Sequence, residues 1–134
     1  MGDAQISSIQ RTSNENTFYI LDSVLYDNKD NIIQYKKNTE PLTTLIWGYN
    51  YQYPIAEVIN ENFENVFSIA SISGINPSET KDTGQLKTTL SLLRTYYKTD
   101  PNTNISTFTY SPIIGLTSAT DSRENTIIFA LLVN

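Results

Sequence analysis

The chain contains no cysteine and no histidine. The first absence removes disulfides and thiolate metal sites, while leaving both reducing and oxidising compartments open. The second removes the commonest metal ligand and the usual general base. Positive charge is scarce as well: nine Lys and Arg stand against fourteen Asp and Glu, for a net charge of −5. Those nine are scattered, with Lys36-Lys37 the only adjacent pair. Neutralising phosphates needs clustered cations, so no nucleic-acid partner is expected. The longest apolar run, residues 127–133, is too short to span a bilayer. The opening MGDAQISSIQ has neither the basic nor the apolar region of a signal peptide. A soluble chain without an export signal is expected, and no cofactor.

What is present favours β structure. The 134 residues are enough for one domain with its own core, and 39% of them are hydrophobic. Thr, Ser and Asn are abundant, and nine Tyr accompany only five Gly. Thr and Tyr suit half-exposed pleated surfaces.

Residues 1–16 are polar and are expected to be frayed at the start. Residues 17–26 (TFYILDSVLY) read as a strand, 27–31 (DNKDN) as a turn and 32–37 as a second strand. A turn at 38–41, a strand at 42–49 and a short one at 55–59 complete an antiparallel meander. The period then changes. Phe63, Val66, Phe67 and Ala70 sit at helical spacing, with Asn60 or Asn62 as N-cap and Gly74 as the stop. Leu86, Leu90, Leu93 and Tyr97 predict an amphipathic helix over 84–98, opened by Asp82 and Gln85 and closed before Pro101. Its other face, with Lys87, Thr88, Ser91 and Arg94, is expected to be solvated. Period two returns at 105–110, 115–120 and 126–133, separated by Ser111-Pro112 and a polar turn at 121–125. The last run lacks polar alternates, so it is expected to be buried on both faces or to need a covering partner. The expected class is therefore α+β, mainly β. It is a single domain over 1–134: a hairpin portion at 17–60, a helical insertion at 61–100 that packs on the sheet, and a second β portion at 101–134.

The ends of the chain resemble each other. Aligning Tyr26 with Tyr110 sets Ile32 opposite Leu116, and each aromatic precedes a five-residue connection. Tyr26-Asp27-Asn28-Lys29-Asp30-Asn31 resembles the Tyr-Asp-x-x-Gly-Asn signature of the YD repeats of Rhs-type proteins, with Asp30 in place of glycine. YSPIIGLTSATDSREN (110–125) resembles the family's longer form around Gly115 and Asp121, with Ser111, Ser122 and Glu124 replacing Asp, Pro and Gly. IWGYNYQYPIAEV (46–58), with Gly48, Asn50 and Pro54, is similar to the WGYN…PIA segment of Bacteroidetes-type YD-repeat proteins, where a helical insertion precedes a TFTY strand. The resemblance covers about residues 24–125.

It implies a fragment or diverged remnant of a longer array whose hairpins form a hollow β-shell, often around a toxin domain. By the same resemblance the parent is a bacterial secreted or cell-surface protein, and the partner is the rest of that protein or a weak homodimer. Tyr26, Asp27 and Asn31 are then wall elements, with the turn side chains satisfying backbone groups. The family's self-cleaving aspartate motif has no counterpart at Ser111–Leu116.

The competing reading is an extracellular module binding a glycan or surface through Trp47, Tyr49, Tyr51 and Tyr53, whose odd positions would share one face of a strand. Gly48 and Asn50 point instead to a turn or bulge that breaks such a face. Glu57, Glu61 and Glu64 are candidate acids, but Glu61 and Glu64 suit the start of a helix better. With no triad, metal cluster or phosphate loop in view, a non-enzymatic structural module is the leading expectation.

Overall fold

The computed structural model describes residues 4–12, 18–111 and 115–129. Among the described residues eight strands form one antiparallel sheet in strict sequence order, β1 (Ala4–Thr12), β2 (Phe18–Tyr26), β3 (Ile32–Lys37), β4 (Thr43–Gly48), β5 (Tyr53–Ile59), β6 (Asn104–Ser111), β7 (Gly115–Thr120) and β8 (Thr126–Ile128). Between β5 and β6 the chain leaves the sheet for α1 (Phe63–Ala70), a 3-10 turn (Pro77–Glu79) and α2 (Thr83–Tyr97). The architecture is α+β and mainly β, with the helices laid on the sheet, as the change of period predicts.

Three expectations about the strands need correcting. No strand is expected before residue 17, yet Ala4–Thr12 pairs with β2 from Ala4↔Tyr26 to Thr12↔Phe18, while residues 1–3 lie outside the described residues. AQISSIQRT has weak alternation, so its pairing comes from a long hairpin partner rather than from its own pattern. Residues 13–16 lie outside the described residues. Tyr53 and Pro54 belong to β5, not to the preceding loop. Pro54 lies opposite Trp47, where the β4–β5 register shifts, and a bulge is where a central strand accommodates proline. The final strand spans Thr126–Ile128, and the rest of the expected 126–133 run is either past its end, at Phe129, or outside the described residues. Ile127 and Ile128 are 61% and 77% exposed, so β8 is not buried on both faces.

The helices begin where their caps dictate. The Asn62 side chain accepts from Asn65 N at 2.8 Å, which makes it, rather than Asn60, the cap of α1. Asp82 does the same for α2, accepting from Gly84 N at 2.7 Å and Gln85 N at 3.2 Å. Phe63, Val66 and Ala70 of α1 and Leu86, Leu90, Leu93 and Tyr97 of α2 are buried. They share one cluster with Ile33, Ile46, Ile55, Ala56, Val58 and Ile105 of the sheet. Burying each large aliphatic side chain there contributes about 1.5–3 kcal/mol. Gly48 lets α2 come this close. A Cβ at Gly48 would lie 3.0 Å from Ile55 Cγ2 and 3.2 Å from Leu86 Cδ1.

Arg94 departs from the solvated face expected of it. Its Nη2 donates to Thr107 Oγ1 at 3.0 Å and to the Thr120 carbonyl at 2.8 Å, bridging α2 to β6 and β7. Burial lowers its pKa, with Glu124 and Asp121 opposing the shift. Lys87, Thr88 and Ser91 on the same helix are exposed.

Candidate functional site

Two turns of the sheet have the same internal bonding. In the connection between β2 and β3, Asp27 Oδ1 accepts from Lys29 N at 2.8 Å and from Asn31 N at 3.0 Å, while Asn31 Nδ2 donates to Asp27 Oδ2 at 3.2 Å. Between β7 and β8, Asp121 Oδ1 accepts from Arg123 N and Asn125 N, both at 2.9 Å, and Asn125 Nδ2 donates to Asp121 Oδ2 at 3.2 Å. The backbone agrees: Asp27 N donates to Asn31 O, and Asp121 N to Asn125 O. The fourth residue of each loop, Asp30 or Glu124, has φ +65°. That is the left-handed region, where glycine has no steric penalty and other residues do.

Around these turns the strand register also repeats. Tyr26 pairs with Ile32, Tyr110 with Leu116 and Thr120 with Thr126. The same six-residue register thus recurs at all three connections, and the hydrogen bonds match the Asp27 turn to the Asp121 turn. Gly115, at φ +79°, opens β7 opposite Ser111.

The Asp27 turn does not stand alone. Asn31 Nδ2 also donates to the Tyr51 carbonyl at 2.9 Å, reaching the connection between β4 and β5. There Tyr49, Asn50 and Tyr51 have φ of 55°, 59° and 66°, three successive left-handed residues that are not glycine. Such backbone persists only where its surroundings over-determine it. Tyr49 N donates to the Thr80 carbonyl and Tyr51 N to the Ser78 carbonyl, both at 2.8 Å, so this turn is clamped to the stretch leading into α2. Tyr49 OH is bonded to Thr83 Oγ1 at 3.2 Å and accepts from Tyr110 N at 3.0 Å. Its ring is buried and lies edge-on to those of Tyr53 and Tyr110, which stack with centroids 4.5 Å apart. Burial pushes the Tyr110 hydroxyl pKa up, and the neighbouring Tyr49 and Tyr53 add to the shift.

The four aromatics of this segment therefore have separate positions. Trp47 is half-buried and its Nε1 donates to the Ile32 carbonyl at 2.8 Å. Tyr49 is in the core. Tyr51 points its hydroxyl at Glu79 Oε2, 3.4 Å away, and Tyr53 stacks on Tyr110. The turn at 49–52 interrupts the strand that would have aligned them. Asn50 is exposed at its tip. A small cavity of about 130 Å³ lies where the turns meet α1, between Asp27, Tyr51 and Asn76 on one side and Ile33, Phe63 and Phe67 on the other.

Glu61 is a clamp between helices. Its Oε1 accepts from Asn62 N and Asn65 Nδ2, and its Oε2 accepts from Tyr97 OH at 3.3 Å. Burial, followed by Glu61, raises the Tyr97 pKa well above its ordinary value. Glu64 is exposed in the first turn of α1. Among the described residues no group of three or more Asp, Glu, His or Cys is placed to hold a metal ion, and no helix is long and apolar enough to cross a membrane. Arg94 is the polar anchor missed in the sequence. Only its place beside the Leu90, Leu93 and Tyr97 stripe hinted that it could reach the sheet. No family model, no curated protein and no solved structure matches this chain.

Proposed function

We propose that this chain is a non-enzymatic structural module, a stretch of YD-repeat-type β wall whose partner is the remainder of a longer repeat protein or a second copy of itself. In this reading the wall encloses or presents other domains of a bacterial secreted or cell-surface parent. The observation that carries it is the pair of Asp–Asn turns with matching bonds at Asp27 and Asp121. A turn of this kind used twice, in a sheet whose strands follow sequence order, is what repetition of a hairpin unit produces. In the same reading the polar side chains of the turns close their own backbone and do no chemistry. The insertion, clamped at Tyr49 and Tyr51, braces the wall from one face.

The test is to extend the wall. One further hairpin with the Tyr-Asp-x-x-Gly-Asn turn is inserted after Ile128, and hydrogen exchange is followed. A wall element predicts slower exchange across β7 and β8 and a higher melting temperature, because β8 gains a neighbour. Unchanged or faster exchange there would overturn the reading.

A further inference from the structure

Four of the nine cations in this acidic chain border one trough. Its floor lies where the helix-facing rows of the sheet change chemistry. Ile46 and Ala56 pair across β4 and β5, and their row continues through Thr107, Thr120 and Thr126. The adjacent row runs Thr109, Ser118, Ile128. Under α2 the threonines are buried, while Ser118 and Thr120 are half-buried and Thr126 is exposed. A face built for another apolar layer would carry Val or Ile, because covering hydroxyls without partners is costly. Here the hydroxyls join one another, Thr120 to Thr126 and Thr109 to Thr117, each at 2.8 Å, and Thr109 to Ser118. Each hydroxyl has one donor and two acceptor positions, so this pairing leaves capacity for a polar ligand.

The walls supply the charge. Lys87, Arg94 and Lys98 follow one flank of α2, and Arg123 stands on the turn between β7 and β8. Two adjoining cavities, of about 570 and 390 Å³, both have Arg94 and Glu124 in their linings. Lys87, Lys98 and Arg123 are exposed. Against these four cations the trough has two carboxylates, Glu124 and Asp100, and Asp100 is already bonded to Asn102 N and Thr103 Oγ1. At the far end Phe129 is 44% exposed.

We propose that this trough binds an acidic oligosaccharide. Sugar hydroxyls meet the Ser and Thr floor, carboxylates meet Lys87, Lys98 and Arg123, and Phe129 offers a face for a ring. The site is separate from the Trp47–Tyr53 segment and independent of the wall reading. A sugar fits better than a peptide or a nucleic acid. The floor is mostly Thr and Ser, with Ile128 beside them, rather than a set of apolar side-chain pockets; of the two aromatics in the lining Tyr97 is buried, and Phe129 by itself cannot stack successive bases.

The experiment is titration calorimetry with amide shift mapping, using tetragalacturonate as the probe. Cellotetraose, a glutamate heptapeptide and an oligothymidylate serve as the neutral, peptide and nucleic-acid arms. Tetragalacturonate is expected to shift amides in 87–98 and 117–128. The combined K87Q, K98Q and R123Q substitutions, all at exposed positions, are expected to weaken binding roughly tenfold or more with unchanged melting, as is raised salt. If the triple variant melts lower, K87Q alone carries the comparison, with a weakening of at least roughly twofold expected. The proposal is overturned by no shifts in the trough, by equal binding of cellotetraose, the peptide or the oligothymidylate, or by undiminished affinity in the folded variant.

Discussion

Asp27 and Asp121 hold their turns in the same way, each with one carboxylate oxygen shared between the amides two and four residues on. Each turn then forces its fourth residue, Asp30 or Glu124, into the left-handed region. The penalty differs between the two. Aspartate visits that region with local hydrogen bonding to help it, and glutamate does not. Glu124→Gly is expected to stabilise the protein by about 1 kcal/mol, and Asp30→Gly by less, because glycine also loses more chain entropy on folding. Urea denaturation of both variants checks this. Destabilisation by Glu124→Gly would mean that the turn is not held as described.

These turns show how far the sequence could be read. The Asp–Asn loops, β3, β7 and α2 were recognisable because each follows from residues close together in the chain: turn formers, alternation, or a four-residue apolar period with caps. The run Tyr49–Tyr51 was not, because its left-handed backbone is imposed by Ser78 and Thr80, which are distant in sequence. β1 escaped for a related reason, since Ile6 and Ile9 break alternation and only pairing with β2 makes the segment a strand. Arg94 lies beside an apolar stripe, and whether such a residue meets water or a sheet depends on what passes beneath it. The turn that separates the Trp47–Tyr53 aromatics was signalled by Gly48 and Asn50, and it lies at 49–52.

Tyr49→Phe tests the clamp on that turn. Removing the hydroxyl leaves Tyr110 N without the acceptor it now has, 3.0 Å away. A loss of about 1–3 kcal/mol is expected in urea unfolding, with faster exchange at Tyr110. An unchanged midpoint would show that the hydroxyl is not a structural acceptor.

Arg94→Met keeps a long apolar stem but removes the bonds to Thr107 and Thr120. The expected loss is about 1–2 kcal/mol. Exchange should quicken first in residues 115–128, whose tie to α2 is cut. Uniform quickening across the whole sheet would contradict the bridge.

Acid should loosen two loops before the core. The Asp100 carboxyl is held below its ordinary pKa of 3.8 chiefly by Asn102 N, and that of Asp121 chiefly by Asn125 N. Groups with a depressed folded pKa add stability above the unfolded value, and it is lost as pH falls through the folded one. The melting temperature should therefore drop as the pH falls below the ordinary carboxyl pKa of 3.8, and Asp121→Asn should drop less over the same range. Carboxyl titration by NMR gives the direct check: values at or above 3.8 for both would contradict the bonding at these loops.

Sedimentation velocity over a range of concentrations tests the central claim, that this is a wall segment with a joinable edge. Among the described residues β8 is the last strand in the sheet order, and it exposes Ile127 and Ile128 with no charge or proline within it to discourage pairing. Wild type is predicted to sediment faster as concentration rises. Ile128→Lys is predicted to remain monomeric with the same circular dichroism and melting. A wild type that stays monomeric throughout, or a lysine variant that associates equally, would contradict the account.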